Sequence, residues 1–71
     1  MVEIGRICTK LAGREAGNRC MVIDVIDETY VLISGPNVKR RKCNIKHLEF
    51  HPELKEIEKD ISDEEVKRAM S

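Results

Sequence analysis

The stretch Cys20-Met21-Val22-Ile23-Asp24-Val25-Ile26 decides the fold class. It is almost continuously apolar and rich in β-branched residues, the composition of a central strand covered on both faces. Downstream, Asp27-Glu28-Thr29 is a polar break short enough for a hairpin, and Tyr30-Val31-Leu32-Ile33-Ser34 returns as the next strand. Gly35-Pro36-Asn37 marks another turn. A further strand runs from Val38 or Lys39 to Cys43, edge-like because basic side chains crowd it. Asn44 then caps a single helical turn ending at Leu48. Upstream, Arg6 to Lys10 forms the first strand, with Ile7 and Cys8 on opposite faces. The segment Leu11 to Arg19 holds Gly13, Gly17 and Asn18 and folds as a tight, irregular loop. Four strands and short loops predict a mainly β fold, a small, partly closed antiparallel barrel.

The chain has 71 residues, which allows one domain with a small core and makes a large enzyme with a deep cleft a poor fit. Hydrophobic residues at 41% and charged residues at 37% of mixed sign argue for a folded module over a disordered one. Tyr30 and Phe50 are the only aromatic residues, so a base-stacking platform or an aromatic ligand cage is excluded. The first twenty residues carry no apolar run of signal-peptide length, and nothing approaches a membrane span. A cytoplasmic protein without membrane contact is expected. Cys8, Cys20 and Cys43 are an odd number without a Cys-x-x-Cys pair, which suits a reducing compartment and a role as small core hydrophobes.

A formal charge of zero conceals a division. Residues 1–48 hold nine bases and five acids, a net of +4, and residues 49–71 hold four bases and eight acids, a net of −4. Such asymmetry points to nucleic-acid contact through the basic part, or to two surfaces that attract each other. The composition divides the chain into a barrel over 1–50 and an acidic extension over 51–71. Glu53 to Asp60 reads as a surface-crossing tail in which Leu54 and Ile57 touch the barrel. Ser62-Asp63-Glu64-Glu65 is a capping box that opens a two-turn helix with Val66, Ala69 and Met70 on one side. A helix this short must pack on the barrel, meet a partner or fray.

The densest charge feature is Lys39-Arg40-Arg41-Lys42, followed by Lys46 and His47. A run of adjacent cations repels itself unless something anionic compensates it, and nucleic-acid phosphates do so through counterion release and Arg forks. The competing readings are an edge strand that uses charge against edge pairing, or a strand facing the acidic tail. The loop containing Gly13 and Gly17 is the second candidate, with Arg14 and Arg19 beside backbone amides that can approach an anion. It lacks the terminal Gly-Lys-Ser/Thr of a Walker loop.

No Gly-x-Ser-x-Gly or His-Glu-x-x-His is present, and Asp24 has no partner in sequence, so no enzyme activity and no cofactor are expected. Cys43, His47 and His51 are spaced by four, as ligands on one helix face would be. Zinc at a structural site needs four ligands, however, and Pro52 disfavours helical geometry at His51, so no metal is expected.

The order strand, Gly-x-x-x-Gly loop, apolar strand, hairpin, strand resembles the KOW motif from about Ile4 through Ser34, with Gly17 at the position of that motif's hallmark glycine. Gly5-Arg6-Ile7-Cys8, Ala12-Gly13-Arg14-Glu15-Ala16-Gly17, Val31-Leu32-Ile33-Ser34-Gly35-Pro36 and Arg40-Arg41-Lys42-Cys43-Asn44-Ile45-Lys46-His47-Leu48 closely resemble the archaeal form of the "fourteen-e" family of large-subunit ribosomal proteins. The resemblance covers essentially the whole chain. It implies an SH3-like barrel with a C-terminal extension, bound in the large ribosomal subunit to ribosomal RNA and neighbouring ribosomal proteins. The isolated chain is then expected to be a monomer and a non-enzymatic, structural component. The expected RNA-binding residues are Arg14, Arg19, Lys39, Arg40, Arg41, Lys42, Lys46 and His47. Contacts made by the long C-terminal extensions of eukaryotic relatives are not expected of these residues. The alternatives are a KOW-type transcription-associated module and an SH3-like protein-interaction module. The second would need an aromatic-lined groove for proline-rich peptides, which two aromatics hardly build.

Overall fold

Both faces of the Cys20–Ile23 segment are covered, as its unbroken apolar composition requires. The computed structural model describes residues 2–58 and 61–70. Five antiparallel strands form one sheet: β1 (Arg6–Lys10), β2 (Arg19–Val25), β3 (Tyr30–Gly35), β4 (Val38–Asn44) and β5 (Leu48–Leu54), followed by the helix α1 (Asp63–Met70). The order across the sheet is β4-β3-β2-β1-β5, which leaves β2 central and β4 and β5 as edges. The 3-10 turn Ile45–His47 joins those two edges. Asn44 caps it as expected, its side-chain oxygen accepting from the Lys46 amide at 2.9 Å. The sheet curls towards a barrel without closing.

Alternation along β2 builds two cores. Cys20 and Val22 pack inside the curl with Cys8, Val31, Ile33, Val38, Cys43 and Leu48. Met21 and Ile23 point the other way and pack with Ile7, Ile61 and Val66. The second cluster exists because the C-terminal segment returns over the outer face of the sheet, with Ile57, Ala69 and Met70 adding partly buried contacts. The expected helix face of Val66, Ala69 and Met70 is therefore the docking face, and the tail contact expected of Ile57 is present. Of the acidic stretch read as Glu53 to Asp60, Lys59 and Asp60 lie outside the described residues.

Ser62 caps the helix as expected, its Oγ accepting from the Glu65 amide at 3.2 Å, while the Glu65 side chain reaches back to the Ser62 hydroxyl, which donates to Oε1 at 3.0 Å, and not to the Ser62 amide of a full capping box. The β2–β3 hairpin is held by Asp27, whose carboxylate accepts from the Thr29 and Tyr30 amides, both at 2.8 Å. Asp24 accepts from the Val25 amide at 2.8 Å, beside a register shift between Val22 and Asp24.

The strand β5 was expected to be part turn and part tail. Its burial alternates weakly, with Glu49, Pro52 and Glu53 exposed, so it carries little apolar periodicity. Pairing with β1 makes it a strand: Lys10 faces Leu48, Cys8 faces Phe50 and Arg6 faces Leu54. Pro52 is tolerated because β5 is an edge, and the Pro52 carbonyl accepts from Arg6 Nη1 at 2.9 Å. The strand crosses residue 50, where the composition turns acidic. Gly5 permits its approach: it has φ +94°, and a Cβ there would overlap the Lys55 carbonyl. Among the described residues no helix is long and apolar enough to cross a membrane.

Candidate nucleic-acid interface

The loop of residues 11–18 is a closed unit. Its neck is fastened by the Gly17 amide donating to the Lys10 carbonyl at 2.7 Å and the Lys10 amide donating to the Asn18 carbonyl at 3.0 Å. Gly17 has φ +89° with open space where a Cβ would stand, so glycine is required there by the backbone and not by packing. Arg14 lies in this loop with its side chain exposed.

Glu15, from the same loop, organises the surroundings. Its carboxylate accepts from the Lys39 amide at 2.9 Å and from Lys10 Nζ at 3.3 Å, and lies 3.5 Å from Arg41 Nε. The Lys39 amide, backed by Lys10 and Arg41, holds the Glu15 carboxyl below the usual carboxylate range. Lys10 is buried, which this pairing makes tolerable. Glu15 thus fastens the loop to the basic end of β4. On the other side of the loop, the Leu11 amide donates to the His47 carbonyl at 2.9 Å, fastening it to the 3-10 turn that carries Lys46 and His47. Two basic segments that follow one another in sequence, β4 and the 3-10 turn, therefore adjoin one loop, Glu15 fastening the first and the Leu11 amide the second.

The basic run of β4 does not alternate simply. Between the pairs Ile33↔Arg41 and Gly35↔Val38, β4 advances one residue more than β3. This bulge lets Val38 and Cys43 both point into the inner core although they are an odd number of residues apart. It also sorts the cations. Arg41 turns towards Glu15, whereas Arg40 reaches the C-terminal segment, its Nε donating to Asp63 Oδ1 at 2.9 Å and its Nη2 to the Ile61 carbonyl. Arg40, with Ser34 Oγ donating at 2.9 Å, holds the Asp63 carboxyl below its usual range. Lys42 lies 4.5 Å from the centre of the Tyr30 ring, a cation–π contact.

The eight residues expected to bind RNA therefore separate. Arg14, Lys39, Lys46 and His47 are exposed, and their side chains make no hydrogen bond or ion pair among the described residues. Arg41 is shared with Glu15. Arg19 pairs with Glu53 at 2.7 Å, and Arg40 and Lys42 are engaged by the chain itself. The expected attraction between the basic strand and the acidic tail is real at Arg40, and Arg19 of β2 adds an ion pair with Glu53 across the same division of charge. Sequence reasoning missed Glu15 and Lys10. Their signal is a pair of opposite charges five residues apart, across the Gly13 turn.

Cys43, His47 and His51 lie on β4, the 3-10 turn and β5, and His51 Nε2 is engaged with Thr9 Oγ1 at 2.7 Å. Among the described residues no group of three or more His, Cys, Asp or Glu is arranged to hold a metal ion. The three thiols are buried and free. Cys8 and Cys20 face each other across β1 and β2 with their Sγ atoms 3.3 Å apart. That hydrogen bond, together with burial, pushes the Cys8 thiol up, and burial pushes the Cys43 thiol up.

No protein-family model matches the chain. Curated relatives do. The large ribosomal subunit protein eL14 of Staphylothermus marinus is 53% identical over 74 residues, covering 99% of this chain and 77% of the relative. Those of Methanococcus vannielii and Saccharolobus solfataricus are each 49% identical, covering 97% of this chain and 88% and 76% of the relatives. Identity at this level across nearly the whole length, on an SH3-like curled sheet, settles the affiliation: the chain belongs to the eL14 family of large ribosomal subunit proteins.

Proposed function

We propose that this chain is a non-enzymatic, structural component of the large ribosomal subunit in the cytoplasm, and that it binds ribosomal RNA through the surface around the 11–18 loop. The relatives' names supply the assembly. The observation that carries the RNA contact is the convergence of Arg14, Lys39, Lys46 and His47 on one loop, with side chains unengaged by the chain. Exposed basic side chains held at fixed positions by backbone hydrogen bonds suit phosphate recognition, in which contacts set position and counterion release supplies affinity. With one Tyr and one Phe in the chain, stacking on bases contributes little, and RNA shape is read through the backbone.

In this reading residues 1–50 carry the RNA contacts. The extension over 51–71 completes β5 and supplies the helix that covers the outer face. Arg40 and Lys42 are secondary contributors, because an RNA phosphate would have to compete with Asp63 for the first and with the Tyr30 face for the second. The test is reconstitution of large subunits depleted of this protein with a variant carrying Arg14→Glu, Lys39→Glu and Lys46→Glu. Impaired incorporation with unchanged circular dichroism is expected. Undiminished incorporation would remove the assignment of this surface.

A further inference from the structure

On the side of the 3-10 turn that faces the β2–β3 hairpin, the curled sheet leaves a groove of about 510 Å³, within the size range of ligand pockets. Its walls are apolar: Val25 at the end of β2, Ile45 in the 3-10 turn and Phe50 on β5. Val25 and Phe50 are 39% and 38% exposed, although Cys20, Met21, Val22 and Ile23 of β2 and Leu48 of β5 are buried. Ile45 packs against the inner core from below, so the groove floor is part of the fold.

The rim is acidic. Asp27 and Glu28 stand at the hairpin, both exposed. Asp27 is held below its usual range by the Thr29 and Tyr30 amides that its carboxylate accepts from, with nearby Lys42 adding to the effect. Arg6 also lines the groove, but it is already occupied by Glu3 at 2.5 Å and by the Pro52 carbonyl. The charge left to an incoming partner is negative. Phosphates are repelled by it, and an apolar floor offers them nothing, so this surface does not suit RNA. It suits a side chain that is apolar with a cation close by.

We propose that this groove docks an extended segment of a neighbouring protein of the assembly, one that inserts an apolar side chain over Phe50 and sets a Lys or Arg against Asp27 and Glu28. Segments rich in Lys and Arg with scattered apolar residues are what a protein uses to neutralise RNA phosphates, so an acidic, apolar-floored groove is the complement of such a tail. The molecule is then two-sided, with RNA at the 11–18 loop and a basic protein segment at the Phe50 groove. This inference rests on the ribosomal reading for the assembly in which the partner is met.

The test uses whole large subunits containing the protein with p-benzoylphenylalanine at Phe50, at Val25 or at Lys39, irradiated and mapped by mass spectrometry. The Phe50 and Val25 probes are expected to link to one protein segment bearing an apolar residue beside Lys or Arg. Adding Glu28→Lys, which leaves the Asp27 hydrogen bonds of the hairpin in place, is expected to lower that yield several-fold. Links from both groove probes to rRNA, to a second copy of this chain or to no partner would overturn the proposal, as would a yield indifferent to the charge reversal. The Lys39 probe reads the RNA assignment separately: its failure to reach rRNA counts against that surface and leaves the groove result standing.

Discussion

Arg40 Nε donates to Asp63 Oδ1 at 2.9 Å, so the most basic strand of the chain is fastened to the first residue of its C-terminal helix. The contact ties the two oppositely charged parts of the sequence together. It also positions α1 over Ile7, Met21 and Ile23, which would otherwise be an exposed apolar sheet face.

Replacing Arg40 with Ala is expected to destabilise the fold by about 1 kcal/mol, the scale of a partly exposed ion pair with an added charged hydrogen bond. Denaturant unfolding measures the loss. Amide exchange should localise it to α1, whose protection falls while that of β2 is retained. Uniform loss of protection across the sheet would mean that α1 and the sheet unfold only as a unit.

Asp63 and Glu15 are both held below the usual carboxylate range, Asp63 by Arg40 and Ser34 and Glu15 first by the Lys39 amide. A depressed folded pKa contributes stability that is fully present above the unfolded carboxylate value and is lost as pH falls through the folded one. Stability is therefore expected to hold at neutral pH and to decline below the ordinary carboxylate range near pH 4. The Asp63→Asn variant should be less stable at neutral pH and show a shallower acid decline. Thermal melts across pH 2 to 7 test both, with the range set by the carboxylate values.

Val66 is fully buried against the outer face, and Val66→Ala is expected to cost about 2 kcal/mol from the methyl groups removed and the space left. Measurement is by chemical denaturation. An effect within a few tenths of a kcal/mol would show that the helix contributes little to the fold.

Two glycines separate backbone strain from collision. Gly17→Ala is expected to cost about 1 kcal/mol, because only its positive φ opposes the side chain. Gly5→Ala adds overlap with the Lys55 carbonyl to the same backbone penalty and should cost distinctly more, with β5 displaced from β1. Equal costs at the two sites would contradict the packing assigned to Gly5.

Much of this arrangement was legible in the sequence. The apolar run of β2 announced two covered faces, Asp27 and Gly35-Pro36-Asn37 announced the turns, and Ser62 with Glu65 announced the helix start. The strand β5 was not legible, because Glu49, Pro52 and Glu53 dilute its pattern and its pairing with β1 is a distant contact. The basic run was visible as charge, but its sorting was not. A bulge opposite β3 decides which cations face the helix and which face the loop, and no local pattern encodes that register. Glu15 was passed over for the same reason, since its importance lies in meeting Lys39 and Arg41 across the fold.

The measurement that tests the central claim most directly is the salt dependence of binding between the full chain and large-subunit rRNA, for the native protein and for Lys39→Ala with Lys46→Ala. If both side chains meet phosphates, the slope of log affinity against log salt should shrink by roughly 1.4 to 1.8, the sum of two contacts. An unchanged slope, with the variant folded, would contradict the placement of RNA at the 11–18 loop.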